Sequence, residues 1–270
     1  MPEAPEVQAL VEFLGERGIG RAFRAIDHVD HRIVKTRDRP PQTLDGAQIA
    51  EVRRFGKYAG IATDAGWLVV SFGRNGWIRI DGEPDTGALP VAHVVLDDGT
   101  GFEIVERGEF LAVAVWVVDA PTDVAGVAAL GPDPLAEDFS REDLERVLGA
   151  RRKQIKALLQ EQASLAGIGN AYSDEILHRA RIAPATHASL LASEDRDRLF
   201  AALIDTMRQA AAERRGLRPA DLKAAKVAAM TVHGRGGQPC PVCGAEVADH
   251  VFGGASAQYC PVCQTVPSMP

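Results

Sequence analysis

Hydrophobic and polar positions change their period along this chain, and the changes divide it into stretches. Val7, Leu10, Val11 and Leu14 recur at three- and four-residue spacing, which predicts one face of a helix opened by Pro5 and closed by Gly18 and Gly20. From residue 22 to about 118 the pattern turns to short β-branched and apolar runs at 49–52, 67–72, 77–80, 91–96, 102–105 and 110–118. Asp97, Asp98, Gly99 and Gly101 mark a hairpin between two of them. Strands that follow one another without helical spacers predict an antiparallel sandwich or barrel, not a βαβ fold.

Residues 121–139 lack periodicity and contain Gly131, Pro132, Asp133 and Pro134, so they read as a linker. Beyond it the chain turns helical. Ser140 with Asp143 forms a capping-box start, and Leu144, Val147, Ile155, Leu158 and Leu159 supply apolar faces. Gly167, Ile168, Gly169 and Asn170 break the pattern before a helix bearing Tyr172, Ile176 and Leu177, which should end near Pro184. Ser193 then caps a long final helix striped with Leu199, Ala202, Leu203 and Met207.

A chain of 270 residues can bury a full core and should form more than one domain. No charged segment leads into an apolar one at the start, and the longest apolar run, 110–118, is too short to cross a bilayer. The expectation is a cytoplasmic, nucleoid-associated monomer with no membrane partner. The net charge of -7 argues mildly against a polyanionic ligand, but the charge is unevenly placed. Residues 1–135 carry 13 basic and 21 acidic side chains, whereas 151–238 carry 15 basic and 9 acidic, so a nucleic-acid footprint belongs on the later segment.

Candidate chemistry begins at the first residues. Removal of Met1, which a small second residue permits, would expose the secondary amine of Pro2, which condenses with an aldehyde to a positively charged iminium. An α-amine titrates near pKa 8, and carboxylates at Glu3 and Glu6 would raise that value, so at least one of the two should be buried and neutral, and able to donate a proton. A frayed, inert terminus is the alternative. Arg53, Arg54, Gly56 and Lys57 could approach an anion closely, or could simply protect a strand edge. The glycine turn capped by Asn170 leaves backbone N–H groups suited to a phosphate oxygen, although a plain helix connection would look similar. Cys240, Cys243, Cys260 and Cys263 form two C-x2-C pairs separated by sixteen residues, with Gly244, Gly253 and Gly254 for tight turns. That spacing fits one tetrahedral structural Zn2+; two disulfides compete, but closing four-residue loops strains them.

These pieces coincide in order with one family. The opening MPEAPEV, FGKY at 55–58, LGPDPLAEDF from Leu130, IKALLQEQ from Ile155, AGIGNAYSDEIL from Ala166 and HGRGGQPCPVCG before the finger resemble the formamidopyrimidine-DNA glycosylase and endonuclease VIII family. The resemblance implies an α+β protein. An N-terminal antiparallel β-sandwich with flanking helices would span 1–120 and a linker 121–139. A helix-two-turn-helix domain would follow at 140–230 and a four-cysteine zinc finger at 231–270, with damaged or abasic double-stranded DNA held in the cleft. By position, Pro2 would attack C1′ of the deoxyribose and cleave the strand by elimination. Glu3 would open the sugar ring as a protonated carboxyl, Glu6 would line the pocket, and Lys57 and Asn170 would clamp phosphates. Lys156 would lie near the lesion, and Arg74 and Arg107 would enter the duplex as the nucleotide is extruded.

The sequence also departs from the family pattern. Ala255 stands where relatives carry a phosphate-gripping arginine, and Arg74 where they often carry a methionine. Residues 106–110 lack the usual arginine-rich intercalation loop, for which Arg107 or Phe110 could substitute. Residues 216–230 are shorter than the loop that covers oxidised guanine, which leaves the lesion unassigned.

Overall fold

The structure is a computed structural model that describes residues 1–83, 87–252 and 255–265. The chain packs as two units, residues 1–129 with 214–225, and residues 130–213 with 226 onward.

The first unit opens with helix α1 (Ala4–Gly18), which buries Val7, Leu10, Val11 and Leu14 as their spacing requires. Strands β1 (Phe23–Asp27), β2 (Ile49–Phe55), β3 (Tyr58–Thr63), β4 (Gly66–Ser71), β5 (Gly76–Ile80), β6 (Leu89–Leu96), β7 (Gly101–Glu106) and β8 (Ala114–Val118) follow. They form two four-stranded antiparallel sheets, ordered β1-β6-β7-β5 and β2-β3-β4-β8. Inward residues of both sheets, Phe23, Leu68, Val70, Val94 and Ile104 among them, share one core with α1, and Leu222 of the returning segment joins it. The hairpin read at 97–101 connects β6 to β7.

Strands β1 and β3 escaped the sequence reading. Charged Arg24 and Asp27 interrupt the first, and Ala59, Gly60 and Ala62 dilute the β-branched signal of the second. Gly60 is small for a reason: a Cβ there would lie 2.8 Å from the Phe55 ring and 3.2 Å from Trp67. The apolar run at 110–118 is strand only from Ala114, and Phe110 stands 83% exposed.

In the stretch read as linker, a short helix α2 (Ala125–Ala128) ends the first unit. The second unit carries α3 (Arg141–Leu148), α4 (Ile155–Leu159) and α5 (Asn170–Ala180). The capping box at α3 is present, with Ser140 Oγ accepting from the Asp143 N–H at 3.2 Å. The residue that caps α5 is Gly169, in extended backbone, and not Asn170, which is the first helical residue. Helix α6 (Ser193–Arg214) buries the stripe of Leu199, Ala202, Leu203 and Met207. It is not the final helix: α7 (Pro219–Ala229) occupies the stretch read as a loop, where Pro219 is a favourable first residue and Leu222 finds a core position. Strands β9 (Ala248–Phe252) and β10 (Ala255–Tyr259) pair antiparallel in the finger. Gly253, Gly254 and the Ala255 side chain lie outside the described residues. Among the described residues no helix is long and apolar enough to cross a membrane.

Candidate functional site

In the first unit the N-terminal residues are anchored. Met1 is exposed, but Pro2, Glu3, Ala4, Pro5 and Glu6 are all buried at the head of α1. Proline at the first turn forgoes an N–H that a helix start leaves unpaired, and Glu6 Oε2 reaches back to accept the Glu3 N–H at 3.0 Å. The other Glu6 oxygen accepts from Arg214 Nε at 3.0 Å, and both side chains of this ion pair are 1% exposed. Of the expectation that one of these glutamates is buried and neutral, the burial is met by both, and Glu6 faces a buried guanidinium. Sequence reading missed Arg214, which is 208 residues away and sits in an ordinary run of charges.

Lys57, half-buried, stands in the two-residue turn between β2 and β3, where Phe55 pairs with Tyr58. Gly56 takes φ +55 there, as the first central residue of a tight hairpin turn demands. Arg54 ties this turn to α1, donating from Nη1 to the Gly56 carbonyl and from Nε to Gln8 Oε1, each at 3.0 Å.

Arg74 and Arg107 are exposed on two neighbouring loops. The loops interlock. A Cβ on Gly73 would meet the Ala112 carbonyl at 2.4 Å, and one on Gly76 would meet Val113 at 2.4 Å. Buried Glu106 holds the second loop from within: Oε1 accepts the N–H groups of Arg107 and Gly108, and Oε2 those of Ala112 and Val113, at 3.0 to 3.2 Å. Residues 107–113 therefore present Arg107 and Phe110 on a fixed frame. Glu106 was another residue that its local sequence did not single out.

In the second unit Asn170 is half-buried, with Nδ2 donating to Ser256 Oγ at 3.1 Å and Oδ1 accepting from Gln160 Nε2 at 2.9 Å. Lys156 is 3% exposed and turned inward. Its ammonium donates to Asp174 Oδ1 at 2.5 Å, Ser173 Oγ at 3.0 Å and the Asn170 carbonyl at 3.3 Å. Asp174 Oδ2 contacts His233 Nδ1 at 2.8 Å, and the next residue, Glu175, accepts from the backbones of Thr231, Val232 and His233. Two consecutive carboxylates of α5 thus clasp residues 231–233. A buried Asp-Glu pair inside a helix was a signal that sequence reading passed over.

The four cysteine sulfurs lie within 4.8 Å of one another, with Cys243 to Cys260 at 3.4 Å and Cys240 to Cys263 at 3.9 Å. Sulfurs about 2.3 Å from one tetrahedral zinc would stand ~3.8 Å apart, so the set fits a single Zn2+ and not disulfides. Burial, then the neighbouring sulfurs, pushes the Cys263 thiol up to about 12, the behaviour of a cluster that needs a cation before it ionises. His178 Nε2 lies 3.3 Å from Cys240 Sγ, and burial holds this imidazole below its ordinary pKa despite Glu175. Gln264 accepts the Cys260 N–H at 2.8 Å and donates to the Ile182 carbonyl at 2.9 Å, fastening the knuckle beyond the end of α5. Zinc bound here is structural, because four thiolates leave no open position.

Comparison with known proteins places the chain among relatives. Residues 1–109 match the formamidopyrimidine-DNA glycosylase N-terminal domain, 130–219 its H2TH domain, and 237–266 the zinc finger found in FPG and IleRS. The formamidopyrimidine-DNA glycosylase of Geobacter metallireducens is 36% identical over 74% of this chain and 75% of its own. That of Corynebacterium aurimucosum is 35% identical over 78% and 76%. Among solved structures, the MutM (Fpg) protein of Thermus thermophilus superposes with a TM-score of 0.83 at 30% identity, covering 99% of this chain and 100% of that one. Lactococcus lactis Fpg, solved with DNA containing N7-benzyl-Fapy-dG, gives 0.86 at 25%, covering 97% and 99%. With matching domains in the same order and relatives aligned over three quarters of their length, the chain belongs to the formamidopyrimidine-DNA glycosylase family.

Proposed function

We propose that this protein is a DNA glycosylase with abasic-site lyase activity on oxidised or abasic double-stranded DNA, acting through a Schiff base on Pro2. The observation that carries the reading is the burial of residues 2–6. Chain ends ordinarily fray, whereas this one is packed at a helix head with two carboxylates beside it. Once Met1 is removed, the Pro2 nitrogen would attack C1′ of the extruded nucleotide. Glu3 would protonate the ring oxygen as the sugar opens. Loss of water, or of the base, leaves an iminium. Removal of a C2′ proton then sends electrons toward that iminium and expels the 3′ phosphate. Lys57 and Asn170 would hold phosphates, and Arg74, Arg107 and Phe110 would fill the space that the nucleotide leaves. The structure gives Lys156 an internal ion pair, so its contribution would come through Asn170 and α5 and not through direct contact with DNA.

Borohydride reduction on an abasic duplex tests the reading. It should link protein and DNA covalently, and Pro2→Gly, whose amine is primary, should trap less. Mature protein that retains Met1 and cleaves nonetheless would exclude the mechanism.

A second reading is a family member that binds damaged DNA, abasic sites or crosslinks with weak base excision. It is favoured by the alanine in place of the finger arginine and by the inward-turned Lys156. A panel of single-lesion duplexes separates the two: strong binding with trapping on abasic DNA alone supports the second, and excision of an oxidised base supports the first. Either way affinity should fall steeply with salt, as phosphate contacts release counterions.

A further inference from the structure

An amine that must be unprotonated to attack is poorly served by carboxylates, because each raises its pKa. The structure sets a third charge against them. Glu6 Oε2 lies 3.0 Å from the Glu3 nitrogen, which is bonded to the Pro2 carbonyl carbon. Covalent geometry therefore holds this carboxylate within roughly 4–7 Å of the Pro2 nitrogen. Arg214 closes on the other oxygen of the same carboxylate at 3.0 Å, and at 1% exposure both partners are screened far less than surface charges. The other titratable or cationic groups tied to this end of α1 are its cap residue Glu3, Arg54, bonded to Gln8 Oε1 at 3.0 Å, and Arg215, which pairs with Glu12 at 3.6 Å. Of these cations, Arg215 is exposed and therefore screened, whereas Arg214 is bound to the carboxylate that touches the head's own backbone.

We infer that Arg214 is a positioning residue whose guanidinium offsets the Glu6 charge felt at the Pro2 amine, keeping a working fraction of that amine as free base near neutral pH. This rests on the proposed Schiff-base reading. It also accounts for an arginine at the end of α6 folding back with the first unit, where Leu217 and Leu222 secure the segment that follows.

Two measurements on full-length protein with Met1 confirmed absent by mass spectrometry test the inference. One is the single-turnover rate of borohydride trapping on abasic duplex from pH 5.5 to 9.5. The other, made without DNA, is the titration midpoint of Pro2 followed by its carbon-13 shifts. Arg214→Met should raise both midpoints by about one unit, so that trapping at pH 6.5 falls about tenfold while the alkaline plateau changes little. Glu6→Gln should lower the midpoint, and Arg214→Lys should leave it in place. Coincident midpoints in Arg214→Met and the parent, or an equal loss at every pH, would overturn the inference. If Arg214→Met does not fold, the double variant with Glu6→Gln, which removes both charges of the pair, takes its place. Its midpoint should lie at or below that of the parent, and a higher one overturns the inference. A parent that never traps would defeat the Schiff-base reading, while the midpoints would still decide the role of Arg214.

Discussion

Two buried ion pairs, one in each unit, are built from the same kinds of charge and serve different ends. Lys156 and Asp174 are 18 residues apart, on successive helices. The lysine's three donors meet three acceptors, Asp174, Ser173 and the Asn170 carbonyl, and the second Asp174 oxygen takes His233. Charge is consumed within the cluster, which fastens α4 to α5 and to residues 231–233. Glu6 and Arg214 differ in that the other carboxylate oxygen accepts the Glu3 backbone N–H, next to the proposed nucleophile. A buried pair is therefore informative about function when one partner reaches on to a reacting group, and about architecture when both are saturated.

The sharpest way to break this contrast is Asp174→Ala. It strands the Lys156 ammonium in a dry site and should cost about 3–5 kcal/mol, read as a large fall in the unfolding transition of the second unit. The Pro2 midpoint should not move. A loss under about 1 kcal/mol would mean that water reaches Lys156 and that the cluster is not the clasp described.

Glu106 extends the comparison to a carboxylate satisfied by backbone alone. In Glu106→Gln the amide nitrogen cannot accept, so one pair of N–H groups, at Arg107 and Gly108 or at Ala112 and Val113, loses its acceptor. The local loss should be about 2–3 kcal/mol. Hydrogen exchange at those four amides reads it directly, and trapping on abasic DNA should weaken as Arg107 and Phe110 lose their frame. Unchanged exchange would show that the interlocked glycine loops hold residues 107–113 without help.

These cases show what was legible in the sequence. Period and turn residues gave α1, most strands of both sheets, the capping box at Ser140 and the α6 stripe, because each is dictated by neighbours within a few residues. The cysteine spacing gave the zinc centre for the same reason. Strand β3 was obscured because Gly60 must be small beneath Phe55 and Trp67, a demand made by tertiary contact. Helix α7 looked like a loop because a surface helix with one buried leucine carries little period. Among the candidate residues, Pro2, Glu3, Glu6, Lys57 and Asn170 stand out in the sequence through motif and position. Arg214, Glu106 and Asp174 did not, since each takes its meaning from a partner brought by the fold.

Between the extremes of the two pairs stands a neutral contact to a metal ligand. With its Nε2 at 3.3 Å from Cys240 Sγ, a neutral His178 ties α5 to the zinc centre, and His178→Phe keeps the volume while removing the donor. Zinc should then pass to a chromogenic chelator about tenfold faster, with the finger still folded while zinc is bound. An unchanged transfer rate would reduce the contact to packing.

The smallest effect belongs to an ion cluster nearer solvent. Glu161 accepts from Lys153 at 2.6 Å, Arg151 at 3.0 Å and Ser164 Oγ. The Lys153 bond first, and then Ser164, hold its carboxyl at about 2 against an ordinary 4.5. The depressed value means that this contribution is complete above pH 4.5 and lost as pH falls toward 2. Because 30% of the side chain is exposed, screening reduces it to about 1 kcal/mol. Glu161→Gln should therefore lower stability by that amount at pH 7 and by nothing measurable at pH 2, in parallel denaturant titrations of the two proteins. A difference that persists at pH 2 would assign the effect to the hydrogen bond with Ser164 and not to charge, placing Glu161 with Glu106 among carboxylates that act as acceptors.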